Sequence, residues 1–177
     1  MPVRYPRRSA RTPRPAPIRD DDAVSPRPRC YVASPLGFSE AGRHYYADVY
    51  LPALAAVVEP VDPWGLTDPA EIAAADREGT HGELVAAIGA RNIEAIRSCT
   101  LLAANLDGQE VDSGTAAEIG FAAALGLRCF GLRTDLREAG ERGAHVNLQV
   151  EAFIVASGGR IVRSLDALVE ALAGAAD

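Results

Sequence analysis

The order of apolar and polar positions predicts strands and helices in alternation from residue 29 onward. Short apolar runs bounded by turn residues are typical of buried strands, whereas apolar residues at helical spacing are typical of helices. The predicted strands lie at 29–34, 57–61, 100–106, 128–133 and 160–163. The predicted helices lie at 39–58, 69–75, 82–97, 115–125, 147–157 and 164–173.

This alternation predicts the fold class. Strands separated by helices form a parallel sheet that is covered on both faces, so we expect one doubly wound α/β sheet of about five strands, flavodoxin-like or Rossmann-like. Ligands bind such sheets beyond the carboxyl ends of the strands. The segments at 34–38 and 107–118 and the loop after Arg133 are therefore the expected positions of a site.

The N-terminal segment differs in composition from the rest. Residues 1–28 are rich in Pro and Arg and contain few aliphatic residues, which predicts a disordered tail before a single domain at 29–177. Residues 1–29 carry eight Arg against three Asp, or +5, so a net charge of −6 leaves −11 for the remainder. An acidic domain argues against a nucleic acid polymer as its ligand.

Three cysteines, at positions 30, 99 and 129, have no paired spacing. An odd count of this kind predicts reduced, buried thiols in a cytoplasmic protein. The apolar runs are too short to span a membrane, and we expect no membrane association. Neither a phosphate-binding glycine motif nor a metal-ligand spacing occurs, so we expect no cofactor and no metal.

The segment with recognisable chemistry is NLDGQEVDSGTAAEIG, residues 105–120. It runs from the end of a predicted strand, through an acidic loop, into a helix expected to begin near Thr115. Glu118 then falls in the first helical turn, where the helix dipole favours an ionised carboxylate. Such a carboxylate can attack the electrophilic carbon of a sugar, as in retaining glycoside chemistry.

A structural alternative exists for the same carboxylate. Thr115 and Glu118 have the spacing of a capping box, in which the Glu side chain bonds back to the amide at the helix start. The Glu118 side chain cannot cap the helix and attack a sugar carbon at the same time.

The decapeptide DSGTAAEIGF at 112–121 resembles a motif of the nucleoside 2-deoxyribosyltransferase family. YVASPLGF at 31–38 resembles the family's opening strand and loop, and VNLQVE at 146–151 resembles a late segment of it. The three segments occur in a consistent order, and the resemblance covers about residues 30–172.

The resemblance implies a role for several residues. Glu118 matches the nucleophile that forms a covalent deoxyribosyl intermediate, and Asp112 matches a carboxylate that binds the sugar hydroxyls. Gly114 lies in the same motif and is an expected substrate-binding residue. Tyr31 matches a tyrosine that positions the nucleophile. Asn147 matches an asparagine that reaches the sugar from a neighbouring subunit, so the resemblance implies a homo-oligomer with shared active sites.

The residues around the leaving base are less well defined. An ungapped count from Asp112 places the family's acidic residue at Asn92, and an amide cannot act as a general acid. Asp107, Glu110 and, less favoured, Glu94 are the alternative acids. Trp64 follows the second predicted strand and either stacks on a nucleobase or packs over the domain edge.

The function implied by the resemblance is a pentosyl transfer in deoxyribonucleoside salvage, between small-molecule deoxynucleosides and free nucleobases and with net retention. An alternative is an N-glycosidase that uses the same nucleophile with water on a nucleoside or a nucleoside 5′-monophosphate. Contact of Arg43 or Arg133 with a 5′-phosphate would favour this hydrolase. A non-catalytic nucleoside- or nucleotide-binding module is a third hypothesis, because fold alone does not define function.

Overall fold

A computed structural model of the protein describes residues 27–176. The predicted tail at 1–28 lies outside the described residues, apart from Arg27 and Pro28. The predicted domain at 29–177 lies within them except for its last residue.

Five strands form one parallel sheet in the order β2-β1-β3-β4-β5, which confirms the predicted fold class. The strands are β1 (Arg29–Ala33), β2 (Glu59–Val61), β3 (Leu101–Asn105), β4 (Arg128–Leu132) and β5 (Ile161–Val162). The chain builds outward from β1 in one direction to β2 and in the other to β3. A crevice therefore opens beyond the carboxyl ends of β1 and β3, where sheets of this kind bind ligands.

The helices cover both faces of the sheet near their predicted positions. They are α1 (Glu40–Tyr45), α2 (Leu51–Ala55), α3 (Pro69–Glu78), α4 (His81–Arg97), α5 (Ser113–Ala124), α6 (Leu148–Ala156) and α7 (Leu165–Ala176). None of the helices formed by residues 27–176 has both the length and the apolar character that a bilayer span requires.

The helix predicted at 39–58 is interrupted in the structure. Ser39 caps α1, with its hydroxyl accepting from the Gly42 amide at 3.0 Å. A π-helical turn at Tyr46–Tyr50 then joins α1 to α2. Pro52 follows this turn, and because proline has no N–H the regular hydrogen-bond ladder cannot continue unchanged through it.

Strand residues alternate between two hydrophobic clusters. On one face, Tyr31 and Leu102 pack with Ile119 of α5 and Ile154 of α6. The residues between them along the strands face the opposite cluster, which includes Tyr50 and α7. This alternation places the Tyr31 side chain on the same face of the sheet as α5. The three cysteines are buried free thiols, as predicted.

Two substitutions on α6 should show that a buried side chain of this core contributes more to the free energy of unfolding than an exposed one. Ile154 is fully buried and Val155, beside it on α6, is 61% exposed. Ile154→Ala removes buried contacts and should lower the free energy of unfolding by about 2–5 kcal/mol. Val155→Ala should change it by less than about 0.5 kcal/mol. Urea unfolding followed by circular dichroism measures both, and equal losses would contradict this packing.

Candidate active site

The helix that carries Glu118 begins earlier than the sequence predicted. Helix α5 begins at Ser113, and Asp112 is its N-cap, accepting from the Thr115 amide at 2.9 Å. Asp is among the strongest N-cap residues, so it takes this position in preference to a start near Thr115. Glu118 consequently lies in the second helical turn, and the prediction that placed it in the first turn is wrong.

The capping box considered for Thr115 and Glu118 does not form. Among the described residues, the Glu118 carboxylate has one hydrogen bond, which its Oε1 accepts from the Tyr31 hydroxyl at 2.6 Å. Tyr31 is fully buried in β1, and its ring extends under α5 to reach Glu118. The structure thus brings together a carboxylate and a tyrosine that are far apart in sequence.

The electrostatic environment of Glu118 has opposing contributions. Burial raises the pKa of Glu118, the Tyr31 hydrogen bond lowers it, and the nearby Asp112 carboxylate raises it, with a net upward shift. Because the dipole effect fades beyond the first turn, the helix start is not among the contributions that favour an ionised Glu118. Among these contributions, only the Tyr31 hydroxyl favours the charged form. Burial and Glu118 together raise the pKa of Tyr31 far above its ordinary value, so this hydroxyl remains a donor.

A pocket of about 340 Å³ opens above Glu118 at the carboxyl edge of the sheet. Asp112, Gly114 and Glu118 form one side of it, and a side chain at position 114 would meet Asp112 Oδ2 at 3.1 Å. The volume is near the lower end of small-molecule sites, which range from about 300 to 1,000 Å³. Its size suits a single small ligand with its polar end at the carboxylates.

Two aromatic residues form another wall of the pocket. The Trp64 indole N–H donates to the Ser34 carbonyl at 3.3 Å, and the Phe38 ring meets the Trp64 ring edge-on at 4.7 Å between centroids. Gly37 permits this packing, because a Cβ there would lie 2.2 Å from the indole. The sequence indicated Trp64, but Phe38 was only part of an expected loop.

Helix α4 supplies the remaining wall through Ile88 and Asn92. Their i, i+4 spacing puts both on one helical face. The sequence pointed to Asn92 but missed Ile88, for which this spacing was the available signal. The Asn92 Oδ1 atom is buried and has no hydrogen-bond partner among residues 27–176.

Asn147 does not line this pocket of its own chain. It caps α6, with its side-chain oxygen accepting from the Gln149 amide at 3.0 Å. Its expected contribution to a neighbouring subunit stays a prediction.

The three alternative acids are also absent from the pocket lining. The Asp107 carboxylate accepts from the Thr134 amide at 2.6 Å and from the Asp135 amide at 2.8 Å, and so ties two loops together. Glu94 pairs with Arg97 on an exposed helical face, and Glu110 is exposed.

Arg133 and Arg43, the two arginines considered as phosphate ligands, donate hydrogen bonds to backbone carbonyls. The fully buried Arg133 donates to the carbonyls of Leu106 and Gly108 at 2.6 and 2.7 Å. Arg43 donates to the Gly37 carbonyl at 3.2 Å. Within the described part of the chain, no cluster of three or more His, Cys, Asp or Glu side chains is arranged to hold a metal ion.

The chain is similar in sequence and structure to known proteins. A family model described as nucleoside 2-deoxyribosyltransferase matches residues 30–158. A conserved protein from Enterococcus faecalis V583 is 27% identical, with 84% of this chain and 99% of that chain covered and a TM-score of 0.59. A CMP N-glycosidase from Clostridium botulinum is 18% identical, with 80% and 94% covered and a TM-score of 0.46. No curated protein matches the sequence.

The raised pKa of Glu118 predicts a stability difference that depends on pH. A carboxyl group whose pKa is higher in the folded chain stabilises the fold when protonated, and this contribution is lost as pH rises through the folded pKa. Glu118→Gln should therefore be more stable than the wild type near neutral pH. The difference should shrink toward the ordinary carboxyl value of 4.5 and below.

Urea unfolding at several pH values measures this effect. Glu110→Gln, which changes an exposed carboxylate, is the matched control and should show no such gain. A Glu118→Gln variant that is less stable than the wild type at neutral pH would contradict the raised pKa.

Proposed function

The chain belongs to the nucleoside 2-deoxyribosyltransferase family, and on that premise we propose that it transfers 2-deoxyribosyl groups between nucleobases, with Glu118 as nucleophile. The observation that carries this proposal is the hydrogen bond between Tyr31 and Glu118 at the floor of the pocket. A partly buried carboxylate held by one hydroxyl, with its other oxygen free of bonds to the described residues, is suited to attack at a sugar carbon.

In the first half-reaction, a Glu118 oxygen bonds to C1′ while the glycosidic C1′–N bond breaks and its electron pair stays with the base. The base takes a proton from water, because Asn92 cannot supply one. In the second half-reaction, a nitrogen of another base bonds to C1′, the Glu118–C1′ bond breaks, and the incoming base loses its proton to water. Two inversions give net retention.

Tyr31 and Asp112 have supporting roles in this scheme. The Tyr31 hydrogen bond lowers the pKa of Glu118 against the effect of burial and so favours the ionised carboxylate that attacks. Asp112 uses its Oδ2 to cap α5, while its Oδ1 has no hydrogen bond to any described residue. This free oxygen is available to accept from a sugar hydroxyl.

Hydrolysis is the second candidate function, and the openness of the pocket favours it. Phe38 is 72% exposed and Trp64 is 41% exposed, so water can reach the sugar once the base has left. An unphosphorylated nucleoside remains the proposed substrate in either case, since neither Arg43 nor Arg133 lines the pocket.

Incubation with deoxyinosine and free adenine distinguishes the functions. Chromatography should show deoxyadenosine and hypoxanthine if the chain is a transferase, and hypoxanthine without a new nucleoside if it is a hydrolase. Glu118→Ala should reduce either reaction by at least roughly a thousandfold, since the nucleophile is lost. Glu110→Gln, outside the pocket, should not. If neither product forms from any of several deoxynucleosides, the catalytic proposal is wrong and the binding module remains.

Tyr31→Phe tests the role of the hydroxyl. Without this donor the pKa of Glu118 should rise further, because the hydrogen bond lowers it. The acidic limb of the kcat/KM profile should therefore move to higher pH, with about a tenfold loss near neutrality from one lost charge-assisted hydrogen bond. An unchanged profile would show that Tyr31 does not act through Glu118.

A further inference from the structure

The aromatic wall of the pocket, formed by Phe38 and Trp64, faces water on one side. Both side chains are exposed, so burial does little to fix them. The hydrogen bond from the Trp64 indole N–H to the Ser34 carbonyl is 3.3 Å long, whereas N–H···O bonds in proteins are usually about 2.7–3.2 Å. This bond is therefore weak, and the position of Trp64 depends as well on the backbone turn that carries it.

A second pair of tyrosine and carboxylate anchors that turn. Trp64 lies in the 3-10 turn Pro63–Gly65 just after β2, and Asp62 caps this turn with its Oδ1 accepting from the Trp64 amide at 3.0 Å. The same oxygen accepts from the Tyr46 hydroxyl at 2.8 Å. One carboxylate oxygen thus joins the turn that carries Trp64 to the helical segment that carries Tyr46.

Tyr46 is itself held firmly. It is buried at the start of the π-helical turn, and its ring stacks on Tyr50 with 5.9 Å between centroids. Helical turns of this kind are frequent at functional sites. Burial and, after it, the Asp62 carboxylate raise the pKa of Tyr46 far above its ordinary value, so the hydroxyl stays protonated and donates. Hydrogen bonds to a charged acceptor are stronger than those between neutral groups.

We infer that Tyr46 and Asp62 are positioning residues, which hold Trp64 in place and so set how tightly the pocket binds its ligand. The inference rests on the proposed function for the ligand, a deoxynucleoside. Neither residue lines the pocket, so both act through Trp64. A wall that contacts the ligand equally before and during the reaction contributes to binding alone, and its loss should raise KM without lowering kcat.

Fluorescence tests the anchor without any ligand. Trp64 is the single tryptophan of the chain, so the anisotropy of its emission reports motion of this side chain on the nanosecond timescale. Tyr46→Phe and Asp62→Ala should both lower the anisotropy. Asp62→Asn keeps an acceptor oxygen at a favourable cap and should restore most of it. Tyr50→Phe is the control, because the Tyr50 hydroxyl has no partner within the described part of the chain. Unchanged anisotropy in Asp62→Ala overturns the inference.

Kinetics test the consequence for the ligand. The KM for deoxyinosine should rise about tenfold in Tyr46→Phe and in Asp62→Ala, as expected for one lost charge-assisted hydrogen bond, with kcat within about twofold of the wild type. The acidic limb of the kcat/KM profile should not move in Tyr46→Phe, because the donor to Glu118 is intact, whereas Tyr31→Phe should move it. A loss in kcat with KM unchanged, or a shifted acidic limb in Tyr46→Phe, overturns the inference.

A binding measurement separates this inference from the proposed function. Calorimetry in a Glu118→Ala background, where the nucleophile is lost, follows deoxyinosine binding without turnover. Adding Asp62→Ala should weaken binding about tenfold, and adding Asp62→Asn should weaken it much less. Equal affinities overturn the inference even if the wild type exchanges bases. Weaker binding with Asp62→Ala, together with a wild type that cleaves no deoxynucleoside, supports the inference and overturns the proposed catalytic function instead.

Discussion

The site depends on one hydrogen bond between two distant parts of the chain, from the Tyr31 hydroxyl on β1 to the Glu118 carboxylate on α5. A carboxylate removed from water needs a compensating partner, and Tyr31 is the partner that the described residues provide. The bond can form because the β1–β3 pairing turns Tyr31 toward the face that α5 covers. Sheet register and helix position therefore determine the environment of the Glu118 carboxylate.

The pocket has an acidic part and an apolar part, as the proposed nucleoside substrate requires. Asp112 and Glu118 are its acidic side chains, whereas Phe38, Trp64 and Ile88 give it apolar walls. The N-cap role of Asp112 places one carboxylate close to the other, which contributes to the raised pKa of Glu118. Asp112 thus both caps α5 and influences the pKa of Glu118.

The sequence predicted the strands well because buried parallel strands form short apolar runs with turn residues on both sides. It misplaced the start of α5, since Asp112 and Thr115 are both suitable caps and local preference alone does not choose between them. The π-helical turn at Tyr46–Tyr50 was also missed, because apolar spacing does not report a local change in helical hydrogen bonding.

By itself, the sequence determined the α/β class and the resemblance of the 112–121 motif, and it made Glu118 a candidate, since each of these depends on a local pattern of residues. Only the tertiary structure decided that Glu118 bonds to Tyr31 instead of its own helix end. It also decided that Asn92 and Trp64 share one pocket while Asp107 and Arg133 hold loops together. The physical reason is that burial and pairing between distant segments are properties of the packed chain, and no local stretch of residues contains them.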